Sequence, residues 1–223
     1  MIALLRYQAA LLIGSHRWLP PVILYAAFLA VGIQGGAPIL DAFGWAAAGL
    51  LPVAVWFTRV CVTNEPPAAR SCTAAAAGPG RVHLACVLTA VGAGTLLALL
   101  GAVVVLLLSD PHSGDHRVAV PVLPATTAGL LAALACLLLG TAIGTLCNWP
   151  VLRNPGWGIP TGLTAALLLL VLGASPANAA VTGLVTGSAH GTVNTPWLPL
   201  AATVAIAAAT TAAACALTSR RTT

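Results

Sequence analysis

The sequence predicts an all-α membrane protein. It has six transmembrane helices, an N-terminal interfacial helix and a short cytoplasmic helix between spans two and three. Three observations carry this. Only 6% of the 223 residues are charged and 59% are hydrophobic, where a soluble domain carries roughly 25% charged residues. Apolar runs of about 20 residues, the length a spanning helix needs, recur along the whole chain. The arginines, finally, fall almost entirely on one side of those runs.

The chain reads as one transmembrane domain over residues 1–223. In "LLRYQAALLIGSHRW", Leu4, Leu5, Ala9, Leu11 and Leu12 recur at near-helical spacing, broken by Arg6, Gln8, His16 and Arg17. That pattern suits a helix over 1–17 lying along the membrane surface. It does not read as a cleaved leader, which needs a short apolar core and a small-residue cleavage site. Spans one and two cover 18–62, as 18–34 and 42–62. A polar loop follows at 63–81. Spans three and four, 82–108 and 122–147, lie within 82–147, and a turn at 148–156 leads to 157–217. That last stretch holds spans five (157–174) and six (197–217), with an external segment at 175–196. Trp18, Trp45, Trp149, Trp157 and Trp197 lie near span ends, as in the aromatic belt of a bilayer protein.

Six spans put both termini on one side. That side collects Arg6, Arg17, Arg59, Arg70, Arg81, Arg153, Arg220 and Arg221. The other holds Arg117 with Asp41, Asp110 and Asp115. By the positive-inside rule the termini are cytoplasmic, in a cell inner (plasma) membrane. Cys61, Cys72, Cys86, Cys136, Cys147 and Cys215 show no C-x-x-C spacing. They read as small buried hydrophobes, with no metal site indicated.

The polar stretch "RVCVTNEPPAARSCTAAAAGPGRVHLA", residues 59–85, has helix punctuation. Asn64 is placed to cap a helix start. Glu65 complements the positive end of the helix dipole, and Pro66 and Pro67 suit a first turn. Arg70, Ala74 and Ala75 lie within the helix. Gly78 suits a left-handed stop and Pro79 forbids continuation.

No acidic or basic residue falls in the middle of a span, which argues against a proton-coupled carrier, a cation channel or a voltage sensor. Thr89, Thr95, Thr126, Thr127, Thr141 and Thr145, with Asn148 at the inner mouth, are the polar groups able to line a translocation path. The competing reading is that these threonines bond their own helix carbonyls. Gly140 and Gly144 form a G-x-x-x-G pair suited to close helix packing. Clustered Glu/His, paired Asp or Ser/His at membrane depth, which an intramembrane enzyme needs, is not found. The chain also has no lysine, hence no phosphate-binding P-loop. A membrane scaffold or immunity protein stays open as an alternative.

A surface helix, six spans, cytoplasmic ends and a helix between spans two and three together resemble the ABC-2 type permeases, the membrane subunits of ABC exporters. The stretch "LLLGTAIGTLCNWPVLRNPGWGIPTGLTAALLLLVLG", residues 137–173, is similar to that family's passage from the fourth into the fifth span. The resemblance implies that this chain is a non-enzymatic transport subunit. A partner ABC ATPase dimer would bind ATP and Mg and grip the 64–77 helix, making Asn64, Glu65, Arg70, Ala74 and Ala75 coupling residues. It further implies a second permease copy or homologous permease, a lipid bilayer and no nucleic acid as partners. The cargo would be a hydrophobic or amphipathic drug, antibiotic, peptide or lipid, moved out of a bacterial cell. External helices between the last two spans are also a family feature, which matches 175–196.

Overall fold

A computed structural model describes residues 1–115, 117–147 and 158–220. These form nine helices: α1 (Ile2–Gly14), α2 (Leu19–Gly32), α3 (Ile39–Thr63), α4 (Pro67–Ala77), α5 (Pro79–Leu108), α6 (Val122–Leu146), α7 (Gly158–Val171), α8 (Pro176–His190) and α9 (Trp197–Arg220). No strand forms among the described residues, only two isolated bridges, Pro38 with Asp110 and His112 with Ala119. The all-α class is as the sequence predicts.

The span count is met in part. α3, α5, α6 and α9 are long and apolar enough to cross a membrane, and α7 with α8 makes a fifth if that bent pair is one span. Helices of this kind belong in a bilayer, because in hydrocarbon only a structure that satisfies its own backbone is stable. α2 has 14 residues, about 21 Å of helix against a hydrocarbon core of about 30 Å. The expected first span is therefore shorter than its apolar run.

α3 is the hub. Of its most apolar stretch 78% is buried, against 11% for α9, because α2, α5, α6, α7 and α8 all pack around it. Its seam with α6 rests on glycine. A Cβ at Gly129 would strike Phe43, one at Gly140 would lie 2.8 Å from the Ala54 Cβ, and one at Gly144 would lie 2.7 Å from the Thr58 Cβ. The steps from Gly129 to Gly140 to Gly144 equal those from Phe43 to Ala54 to Thr58. The two helices thus run parallel in one phase, and backbones approach where side chains are missing. α2 is tied to α3 by two aromatic donors: Trp45 Nε1 donates to the Phe28 carbonyl at 2.7 Å and Tyr25 Oη to that of Ala46 at 3.3 Å.

The segment expected outside the fifth span holds α8. α7 starts against Arg59 and passes Val55. α8 then passes Gly44 and reaches Leu40 with Gly187. Together they climb α3 in the opposite direction, with a 47° bend between them. Residues 176–190 thus form a helix along α3, which with α7 makes a broken span or a re-entrant pair. At the break the Asn178 side chain donates to the Leu170 carbonyl, and Ser175 N–H donates to that of Leu172 at 2.9 Å. Polar side chains of this kind let a membrane helix break. The expected turn at 148–156, with Asn148, Trp149, Arg153 and Trp157, lies outside the described residues.

Candidate functional site at the arginine-rich end

α4 is cut out of the chain by prolines. Pro66 occupies its N-cap position and Pro67 its first turn, where no N–H is needed. At its other end Gly78 takes φ +87°, and Pro79 opens α5 at once. Two expectations need correction here. Asn64 does not cap α4; it follows the last turn of α3, and the helix begins three residues later. The prolines shift the start, since a pre-proline residue is pushed out of the helical region. Gly78 has positive φ but ψ of 138°, so it is an extended swivel between two helices rather than a left-handed cap.

The resulting three-turn helix has two faces. Ala68, Ser71, Cys72, Ala75 and Ala76 are exposed, at the three- and four-residue spacing of one helix side. Cys72 is thereby an exception to the reading of all six cysteines as buried; it is an exposed free thiol. Arg70, Thr73 and Ala74 are half-buried. Arg70 Nη1 donates to the Val62 carbonyl at 2.8 Å, a cation on the carbonyl end of α3, where the helix dipole favours positive charge.

Glu65 holds this end together. It sits in the turn between α3 and α4 and is only 6% exposed. Its Oε1 accepts the Thr73 hydroxyl of α4 at 3.0 Å, and its Oε2 accepts Gln8 Nε2 of α1 at 3.3 Å. Gln8 is 2% exposed. Burial first, then the nearby Glu65 charge, push the Tyr7 phenol above its usual value. A buried carboxylate is tolerable only when hydrogen-bonded in this way. One side chain therefore ties α1, the end of the hub α3 and α4. Nearby on α5, His83 is fully buried and its ring nitrogens have no hydrogen-bond partner among the described residues.

α4 stands as a ridge with a hollow on either side. One recess, about 230 Å³, is lined by Pro67, Arg70, Ser71, Ala74, Pro79 and Thr218, between α4, α5 and α9. The other, about 440 Å³, lies between α1 and the turn, against Tyr7, Leu11, Asn64 and Pro66. Among the described residues no group of three or more metal-ligating side chains converges. The arrangement suits contact with another molecule.

The sequence-derived residues divide accordingly. Glu65, Arg70 and Ala74 come together at this end, Ala75 faces out beside them, and Asn64 borders the second recess. Gly140 and Gly144 lie in the α3–α6 seam, away from it. Each of the six threonines spends its hydroxyl on its own helix. Thr89, Thr95, Thr126 and Thr141 each donate at 2.8 Å to the carbonyl four residues back. Thr127 and Thr145 donate three residues back at 2.9 and 2.7 Å. Tyr7, Gln8 and Thr73 were missed as site residues. The one signal for them was Gln8 itself, a polar residue four before buried Leu12 on the inward stripe of α1.

The chain matches no protein-family model, no curated protein and no solved structure.

Proposed function

We propose that this chain is the membrane subunit of an ATP-driven exporter of the ABC-2 type. The observation that carries the reading is α4, a rigid three-turn ridge set at the arginine-rich end and anchored from beneath by Glu65 and Arg70. A helix so held passes a push on its exposed face directly to α3, α5 and α1. The partner is an ATPase dimer that supplies ATP and Mg binding and seats α4 in a surface groove. In this reading α2 completes six spans, with α7 and α8 as one broken span. The exposed Ile2 and Ile13 of α1 rest on the bilayer, and both termini face the cytoplasm. A second permease chain completes the transporter. The cargo is hydrophobic or amphipathic, because the long helices carry no charge at mid-depth.

The experiment is Ala75→Pro, measured with a partner ATPase in reconstituted vesicles. An interior proline costs a helix about 3 kcal/mol, and Ala75 touches the outside rather than the core. Transport should be lost while membrane levels and ATPase-free stability stay close to wild type. Full transport by that variant removes the docking role of α4. Reporter fusions after Thr223 and near Asp115 should read opposite sides; the same side at both places gives an odd number of spans and ends the six-span reading.

A further inference from the structure

α1 and α2 meet at a corner formed by residues 15–18; α1 packs against α5 and α2 against α3, and a gap is left between the corner and α5. The gap is a cleft of about 500 Å³ whose walls include Leu5, Leu12 and Trp18 on one side and Gly92, Leu96 and Leu100 on α5. Its lining is apolar apart from Thr89, whose hydroxyl is already engaged by the Ala85 carbonyl. Gly92 shows that the space is empty: a Cβ built there meets nothing within 4 Å. Trp18 is fixed as a wall, since its indole N–H donates to the Ile13 carbonyl at 3.4 Å. The rims carry exposed hydrophobes, Ile13 at 69% and Leu100 at 61%, so the cleft opens towards hydrocarbon and not towards water.

The charge around the cleft has one sign. Arg6 follows Leu5 on α1 and Arg17 precedes Trp18 at the corner, and both are exposed. α1, the corner, α2 and α5 contain no Asp or Glu. Glu65, in the turn after α3, is occupied by Gln8 and Thr73. An apolar slot with a cationic mouth matches a ligand with an alkyl tail and an anionic head.

We propose that this cleft binds an anionic phospholipid from the surrounding leaflet, one acyl chain lying along Gly92 and the phosphate held by Arg6 and Arg17. The lipid is resident and not cargo: it fills the wedge that short α2 leaves against long α5. The inference needs the bilayer alone and holds whether or not an ATPase docks on α4.

Trp18 supplies the probe. The full chain is placed in phosphatidylcholine vesicles containing a minor fraction of brominated phosphatidylglycerol or, separately, brominated phosphatidylcholine. The Trp18 signal is the emission of wild type less that of Trp18→Phe. Quenching by the anionic lipid should half-saturate at a mole fraction at least tenfold lower than quenching by the zwitterionic lipid, since each arginine near an anionic lipid is worth roughly fivefold. Arg6→Gln with Arg17→Gln should erase that difference. Gly92→Leu, which fills the slot without touching the arginines, should lower Trp18 quenching by both lipids. Equal half-saturation in wild type overturns the proposal. So does unchanged Trp18 quenching by the anionic lipid in Gly92→Leu, which leaves the arginines binding headgroups with no chain in the cleft. Trp18 shielded from both lipids, with the chain dimeric on crosslinking, gives the cleft to a second copy and likewise overturns it.

Discussion

The two ends of the bundle are held by different chemistry. At the acid-bearing end the backbone does the joining. Gly36 N–H donates to the Leu108 carbonyl at 3.0 Å, Ile39 to Asp110 at 3.1 Å and Asp110 to Ala37 at 2.9 Å. Residues 111–115 and 117–120 are brought together by Ser113 to Val118 at 2.8 Å and Val120 to Pro111 at 2.9 Å, then fastened to α8 by Gly114 to Ser188 at 3.0 Å. At the arginine-rich end side chains do it: Glu65 joins Gln8 of α1 to Thr73 of α4, and Arg70 bonds the end of α3. Backbone bonds survive almost any side-chain replacement. A side-chain knot can be undone by one substitution, and it can also be rearranged by a partner. The contrast places the adjustable end where α4 stands.

Glu65→Ala should have the largest effect. It leaves the buried Gln8 amide without its acceptor, whereas Thr73 keeps the Arg70 carbonyl at 3.1 Å. An orphaned buried donor costs about 1–3 kcal/mol. Unfolding in detergent should shift by that amount, and hydrogen exchange should quicken in α1 and α4 with residues 111–120 unchanged. Equal quickening at both ends would mean that the ends are one cooperative unit and the contrast is false.

Gly191→Ala tests the opposite end. Gly191 has φ +65°, and its Cβ would lie 2.8 Å from Val118 Cγ1. The left-handed conformation costs a non-glycine residue about 1–2 kcal/mol. Exchange should quicken at residues 113–118 and at the end of α8, while α1 keeps its protection. Loosening of α1 by this variant would contradict the separation.

Tyr7→Phe is the mildest cut at the arginine-rich end: it removes a hydroxyl near the Glu65 charge and leaves the Gln8 and Thr73 bonds in place, so the loss should stay below about 1 kcal/mol. It also carries a pH signature. The folded chain holds the Tyr7 proton more tightly than the unfolded chain does. That stabilisation is therefore present below pH 10 and is lost as pH rises through the raised folded value. Wild type should lose stability more steeply than Tyr7→Phe above pH 10, in paired melts across that range. Parallel curves would show that the phenol is not part of the knot.

Much of this molecule is legible in its sequence. The helices sit close to the apolar runs: 42–62 matches α3, 82–108 matches α5 and 122–147 matches α6. Hydrophobic length reports on the solvent, and the bilayer is the same along the whole chain. The proline pairs of α4 are legible for a similar local reason, although Asn64 is not its cap, because Pro66 and Pro67 move the start. The helix in the 175–196 stretch is harder to read, because only 179–185 is mildly apolar and the rest is rich in Gly, Ser, Thr and Asn. The structure sets its first part against Gly44 and Leu40 of α3, where small residues are what allow the approach.

By itself, then, the sequence determined the class of solvent, the position of nearly every helix, the one-sided arginines and the absence of a P-loop lysine. Each of these depends on composition or on a window no longer than one helix. Tertiary structure alone decided that Glu65 meets Gln8, 57 residues away, that Gly129, Gly140 and Gly144 face Phe43, Ala54 and Thr58, and that α7 and α8 meet at a 47° bend along α3. Those pairings depend on how far each helix is rotated and slid against its neighbour. Close packing of whole faces sets that rotation and register, and no local stretch of chain encodes it.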